Sequence, residues 1–223
     1  FRVSLWLKYR PETLRTVELL DFPSVSVVMP AYNEEKLVSR AVEAVLQSDY
    51  PGDKLELICI NDGSTDKTLT VLEGLRQRDP ARIKVISFQR NLGKKEALFK
   101  GIKEARGQII ITTDADSQLQ RRAVKNLILP LISDERVGAV AGKVSVLNEN
   151  KNLITRMLSI RFALSFDFGR AYQSVYGGVL CCPGALSAFR RKSLLKILPG
   201  WRKQKFLKAS CQHGEDRSLS SLI

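Results

Sequence analysis

Four short apolar runs organise the first half of the chain, at residues 24–29, 55–60, 83–88 and 109–113. Each is rich in β-branched residues and too short for a helix, the pattern of strands buried on both faces of a parallel sheet. Between them apolar positions recur at helical spacing, over residues 35–47, 66–76 and 95–105. Strand and helix alternate through residue 116. That order predicts an α/β fold: an open, doubly wound, mostly parallel sheet with helices on both faces. Ligands in such sheets bind beyond the carboxyl ends of the strands. The residues there are Tyr32-Asn33-Glu34, Asn61-Asp62-Gly63-Ser64-Thr65-Asp66, Gly93-Lys94 and Asp114-Ala115-Asp116.

The second half is less regular. Residues 137–146 read as a strand pair or one bent strand. Residues 152–175 have helical spacing and carry Phe162, Phe166, Phe168 and Tyr172. A small, apolar stretch follows over 176–190, then a basic stretch, then Gly214-Glu215-Asp216-Arg217.

Composition narrows the partners. The 223 residues are 44% hydrophobic and 26% charged, which excludes global disorder and suits one sizeable domain. The formal net charge of +13 favours an anionic partner. The basic residues are scattered, with no zinc-finger spacing and no aromatic-interleaved motif, so no nucleic-acid partner is expected. Cys59, Cys181, Cys182 and Cys211 have no CxxC spacing and a single histidine, His213, beside them. A zinc site is not expected; Cys59 reads as a core thiol. No apolar run reaches the roughly 18 residues a membrane span needs. Residues 1–23 read as a membrane-proximal or interfacial segment and 24–223 as the main domain.

Two motifs carry chemistry by their residue types. Asp114 and Asp116, one residue apart, would point to one side of extended backbone and could hold a hard divalent cation, Mg²⁺ or Mn²⁺; the same pair also suits a solvated turn. Glu215-Asp216 could supply a general base, or open a helix at its positive end. Around them, Asp62 could accept hydrogen bonds from a base or ribose. Tyr32 could stack on a nucleobase or pack at the loop edge. Lys94 could meet a phosphate or lie on the surface, while Thr65 and Asp66 read as the cap of the next helix.

Together these motifs resemble the GT-A catalytic domain of inverting family 2 glycosyltransferases over residues 25–223. PAYNE, NDGSTDKT, NLGKKEAL and TTDAD are similar to the nucleotide-sugar half of that family. RAYQSVYGGVLCCPGALSAFRR, Trp201 and GEDRSL look like hyaluronan synthases, chitin synthases and nodulation-type chitooligosaccharide synthases. The resemblance implies a UDP-sugar donor, N-acetylglucosamine or a related sugar, and a growing β-linked polysaccharide acceptor. Tyr32, Glu34 and Asp62 would contact the nucleoside, Lys94 the diphosphate, Asp114 the nucleotide and Asp116 the metal. Asp216 would be the base. Glu215, Cys211 and Gly184 would lie on the acceptor side, although Cys211 could equally be a packed thiol. The resemblance also implies attachment at the cytoplasmic face of a membrane, through segments outside this chain and partly beyond residue 223. Two alternatives remain: a polyprenyl-phosphate sugar transferase, which shares the first four motifs, and a basic binding module whose carboxylates only cap helices.

Overall fold

The computed structural model describes residues 1–9, 21–206, 209–210 and 214–223. The four apolar runs form strands β1 (Val25–Ala31), β2 (Leu55–Asn61), β3 (Ile83–Ser87) and β4 (Ile109–Thr113). Two further strands, β5 (Ala139–Ala141) and β6 (Leu186–Arg190), complete a sheet of order β3-β2-β1-β4-β6-β5. The first four are parallel; β6 runs antiparallel to both β4 and β5.

Strand residues alternate between the sheet's two faces, and both faces are covered. Val25, Val27, Met29, Leu57, Cys59 and Ile111 enter one core cluster. It is covered by α2 (Val38–Leu46), α3 (Thr68–Arg78) and α5 (Ala123–Ser133). On the opposite face Val28, Ile58, Ile60 and Ile110 meet α4 (Lys94–Glu104) and α8 (Arg191–Arg202). Leu219 of α9 (Glu215–Ser220) joins this second cluster beside Leu198 and Trp201. The short acidic helix is thereby fastened under the sheet edge by apolar burial.

This topology places the candidate site. From β1 the chain winds outward through β2 and β3, then crosses back to β4 on the other side of β1. The switch point is therefore the crevice between the ends of β1 and β4. Because β6 is antiparallel, with Leu186 opposite Thr113, it begins at the edge where the parallel strands end. The segment before it, Pro183-Gly184-Ala185, consequently arrives beside Asp114.

Three further α-helices complete those described. They are α1 (Arg2–Lys8), α6 (Leu153–Ala163) and α7 (Ala171–Ser174), with a π-helical stretch, Leu164–Arg170, joining the last two. Helix α1 packs on that arm: the Trp6 indole N–H donates to the Asp167 carbonyl at 2.7 Å, and its ring tilts against Phe168.

Two expectations need correction. Within 137–146 only Ala139–Ala141 is strand, because this edge segment has β6 alone to pair with. The predicted helix at 35–47 begins instead at Val38, since the N–H groups of Leu37 and Val38 both turn back onto the Glu34 carbonyl.

Candidate active site

The loops after β1 and β2 are locked to one another by side chains. Asn33 adopts a left-handed backbone, φ 56°, which Asn tolerates better than most residues. Its side-chain oxygen accepts the Thr65 N–H at 2.8 Å, and its own N–H donates to Ser64 Oγ at 3.0 Å. The N-cap position of α3 is Lys67, not Thr65 or Asp66 as expected; Asp66 lies just before it and accepts the Thr68 N–H at 2.9 Å. Its other oxygen accepts the Glu35 N–H at 3.1 Å. Loops after β1 and β2 therefore form one unit.

Asp62 extends that unit to the third strand end. Only 3% exposed, it accepts the Leu92 N–H on Oδ1 at 2.7 Å and the Gly93 N–H on Oδ2 at 2.9 Å. Its carboxylate thus holds the loop that delivers Lys94, whatever ligand it also meets through its remaining lone pairs. Next to it, Gly63 has φ 67°, and a β-carbon there would stand 2.2 Å from the Arg90 carbonyl carbon. Only glycine permits this approach of the two loops.

At the switch point the carboxylates gather. Burial pushes the Glu34 carboxyl above its ordinary range, and the nearby charges of Asp116, Asp66 and Asp114 push it further. Asp114 and Asp116 therefore share the electrostatic field of Glu34, as the topology requires. The backbone is not the extended one expected: Ser117 N–H donates to the Asp114 carbonyl at 3.2 Å, so residues 114–117 form a turn. Alternation along a strand consequently does not set the directions of these two side chains. Asp114 faces Lys94, whereas Asp116 is exposed. Tyr32, 45% exposed, stands at the end of β1 with its ring open to a flat ligand.

Lys94 joins the two halves of the site. Its Nζ lies 2.5 Å from Asp114 Oδ1 and 3.7 Å from Glu215 Oε1. Burial opposes the ammonium charge, but Asp114, Glu215 and Asp216 outweigh it and hold the pKa above its ordinary value. Opposite, the Gly184 N–H donates to Asp216 Oδ2 at 3.1 Å. A β-carbon on Gly184 would come within 2.9 Å of Lys94 Nζ, so lysine, loop and base candidate meet closely here and a larger residue would require the lysine tip to shift. The space between Gly184, Glu215, Asp216 and Leu98 is about 10 Å³, room for one water and no sugar.

Several supports were not legible in the sequence. Trp201 is fully buried, and its indole N–H donates to the Glu215 carbonyl and Ser218 Oγ, both at 3.0 Å. Ser220 Oγ accepts the Cys182 N–H at 2.8 Å and donates to the Asp216 carbonyl at 2.7 Å. Arg170 Nε donates to the Cys181 carbonyl at 3.0 Å. An aromatic residue with a polar edge in a helix was the only available signal for Trp201. Cys59 is buried as expected, its thiol pushed up to about 12 by burial. Cys211 lies outside the described residues. Among those described, no three His, Cys, Asp or Glu side chains form a group able to enclose a metal ion.

Comparison with known proteins gives this geometry a context. Residues 26–198 match the signature of glycosyl transferase family 2. An N-acetylglucosaminyltransferase of Rhizobium meliloti (strain 1021) is 31% identical over 209 residues, covering 93% of this chain and 48% of the relative. A protein of Bacillus subtilis (strain 168) named probable glycosyltransferase YdaM is 34% identical over 183 residues, covering 81% and 43%. The chain spans about half the length of the curated relatives it matches. Among solved structures, the mannosyltransferase PcManGT from Pyrobaculum calidifontis, in complex with GDP-Man and Mn²⁺, superposes with TM-score 0.73 at 25% identity. That match covers 99% of this chain and 56% of that one. Staphylococcus aureus TarS 1-349 with UDP-GlcNAc shares the fold at TM-score 0.58 and 19% identity, over 89% of this chain and 52% of that one.

Proposed function

Because the chain belongs to glycosyl transferase family 2, we propose that it moves a sugar from a UDP-activated donor to a growing β-linked polysaccharide, with inversion at the anomeric carbon. The sugar proposed is N-acetylglucosamine or a close relative, in keeping with the relatives named N-acetylglucosaminyltransferase. One observation carries the reading. Lys94 reaches from Asp114 at the fourth strand end to Glu215, more than a hundred residues later, and brings donor-side and acceptor-side carboxylates around one cation.

The chemistry follows from that layout. Tyr32 offers its ring to the base, and the loops tied by Asn33, Asp62 and Asp66 give the nucleoside a fixed seat. Lys94 neutralises charge on the departing diphosphate. Asp216 takes the proton of the acceptor hydroxyl as that oxygen bonds to the anomeric carbon and the bond to diphosphate breaks. Its orientation is held by the N–H groups of Gly184 and Arg217, one on each oxygen.

A divalent cation fits the residues present. Asp114 and Asp116 are hard oxygen donors, and the crowding of carboxylates felt by Glu34 is relieved by positive charge. Magnesium sites commonly use one or two carboxylates and complete themselves with substrate phosphates. When bound, Mg²⁺ or Mn²⁺ would supply positive charge to the diphosphate. The alternative polyprenyl-phosphate acceptor gives the Gly184–Asp216 contact no role.

We also place the protein at the cytoplasmic face of a membrane, on the strength of its +13 formal charge. No helix among the described residues is long and apolar enough to cross one.

The test is a donor panel on membranes carrying the complete gene product: UDP-N-acetylglucosamine, UDP-glucose, UDP-glucuronate and GDP-mannose, with Mg²⁺ or Mn²⁺. The expected result is nucleotide release and polymer growth together, strongest with UDP-N-acetylglucosamine and lost with chelator. Release with GDP-mannose alone, or transfer only to an organic-extractable lipid, contradicts the proposal.

A further inference from the structure

Helix α6 buries none of its eleven residues, yet it is well formed. Isolated helices of this length are marginal in water, so something other than propensity maintains it. A capping box does part of this: Asn152 Oδ1 accepts the Thr155 N–H at 2.9 Å, and Thr155 Oγ1 accepts the Asn152 N–H at 3.0 Å. The π-helical stretch continues it into the anchored segment, where Phe166 is buried.

The exposed surface of this arm is not polar. Leu153, Met157 and Ile160 follow one another at helical spacing, and Leu164 continues their line at the start of the π-helical stretch. Each of the four is 61–71% exposed. Scattered exposed aliphatics are ordinary, but four in one stripe mark an interaction surface. Arg156 and Arg161 flank the stripe, one to each side, and both are exposed. From Asn150 to Phe166 there is no acidic residue; Glu149, just before, reaches the arm where its carboxylate accepts the Ser159 hydroxyl at 2.7 Å. The first acid beyond, Asp167, is paired with Lys143 at 2.7 Å.

We infer that residues 153–164 are a membrane-docking arm, laying the Leu153, Met157, Ile160 and Leu164 stripe among the acyl chains of an anionic lipid surface while Arg156 and Arg161 meet the headgroups. An apolar stripe bounded by arginines is the composition of interfacial helices, which combine apolar burial with attraction to anionic lipid. A second copy of the chain fits less well, because facing stripes would bring the flanking arginines of both copies together. The inference rests on the membrane placement proposed above, but on separate residues. The arm would orient a domain whose attachment lies elsewhere.

Vesicle flotation of the 223-residue chain tests it. With vesicles of roughly one part phosphatidylglycerol to two parts phosphatidylcholine, the chain should co-float, and with phosphatidylcholine alone it should bind far less. Met157→Glu with Ile160→Glu should lower partitioning about tenfold or more without moving the thermal unfolding midpoint, since both side chains are exposed. Arg156→Gln with Arg161→Gln should remove most of the preference for anionic lipid. Equal flotation of wild type and the double glutamate variant overturns the inference, as does failure of wild type to bind either vesicle. Light scattering that shows a wild-type dimer, dissolved by the glutamate variant, assigns the stripe to self-association and overturns it too. Fractionation of the complete gene product would still read the membrane placement independently.

Discussion

The proposed donor side and the proposed acceptor side of this site are built in different ways. On the donor side, each functional residue lies within a few positions of the strand that carries it, and the loops are tied to one another by Asn33, Asp62 and Asp66. On the acceptor side, Gly184 and Asp216 come from segments far apart in sequence. They meet because β6 runs antiparallel and because Leu219 and Trp201 fasten α9 beneath the sheet. The first half is a scaffold that also binds; the second is an assembly whose geometry depends on a few long-range contacts. Substitutions in the two halves should therefore fail differently.

The largest effects are expected in the donor loops, and they are effects on folding. Gly63→Ala forces a β-carbon into the Arg90 backbone at a left-handed φ. It should destabilise by at least about 3 kcal/mol, read by denaturant unfolding. A variant as stable as wild type would mean the two loops are not locked together. Asp62→Asn should cost about 2 to 4 kcal/mol, because one of two backbone N–H groups loses its buried, charged acceptor. If stability is unchanged while UDP affinity falls, Asp62 serves the nucleoside and not the loop.

Acceptor-side changes should spare stability more than turnover. Trp201→Phe removes the indole donor to Glu215 and Ser218 and should cost about 1 to 2 kcal/mol. Donor affinity should stay constant while turnover drops, since only the position of α9 is loosened. A parallel loss of donor affinity would erase the distinction between the halves.

The smallest effect concerns Lys94, which belongs to both. Its folded pKa is raised, so its pairing contributes stability below the unfolded pKa, and that contribution is lost as pH rises through the folded value. The stability difference between wild type and Lys94→Met should thus be flat from about pH 6 to 9 and shrink only above about pH 10. Partial exposure of the pair keeps it below about 1 kcal/mol. A difference that changes near neutral pH would assign the pairing to another group.

The same contrast explains what the sequence could reveal. Residues 109–113 declared a buried strand by composition, and the topology rule then pointed to Asp114 without any knowledge of side-chain packing. Lys94 was open between phosphate contact and surface because its meaning lies in a contact with Glu215, which no local pattern encodes. Strand β6 was hidden in a small, apolar stretch, since antiparallel pairing with β4 is a tertiary fact. At Asp114–Ser117 the turn, and not the extended backbone, is realised; the sequence left both open because a strand's end is not marked by its own apolar run. Trp201 is buried in the core, and through its indole N–H it also holds the acidic helix, a contact across fourteen residues that no local pattern encodes.

The central claim is that Asp216 acts as the base at a site the donor loops complete without it. Asp216→Asn in the full-length enzyme tests this directly, with UDP-sugar binding and turnover measured separately and Glu215→Gln alongside. The account predicts donor affinity close to wild type, turnover lower by about 10² to 10⁴, and a milder loss for Glu215→Gln. Near-normal turnover in Asp216→Asn, or loss of donor affinity in step with activity, would contradict it.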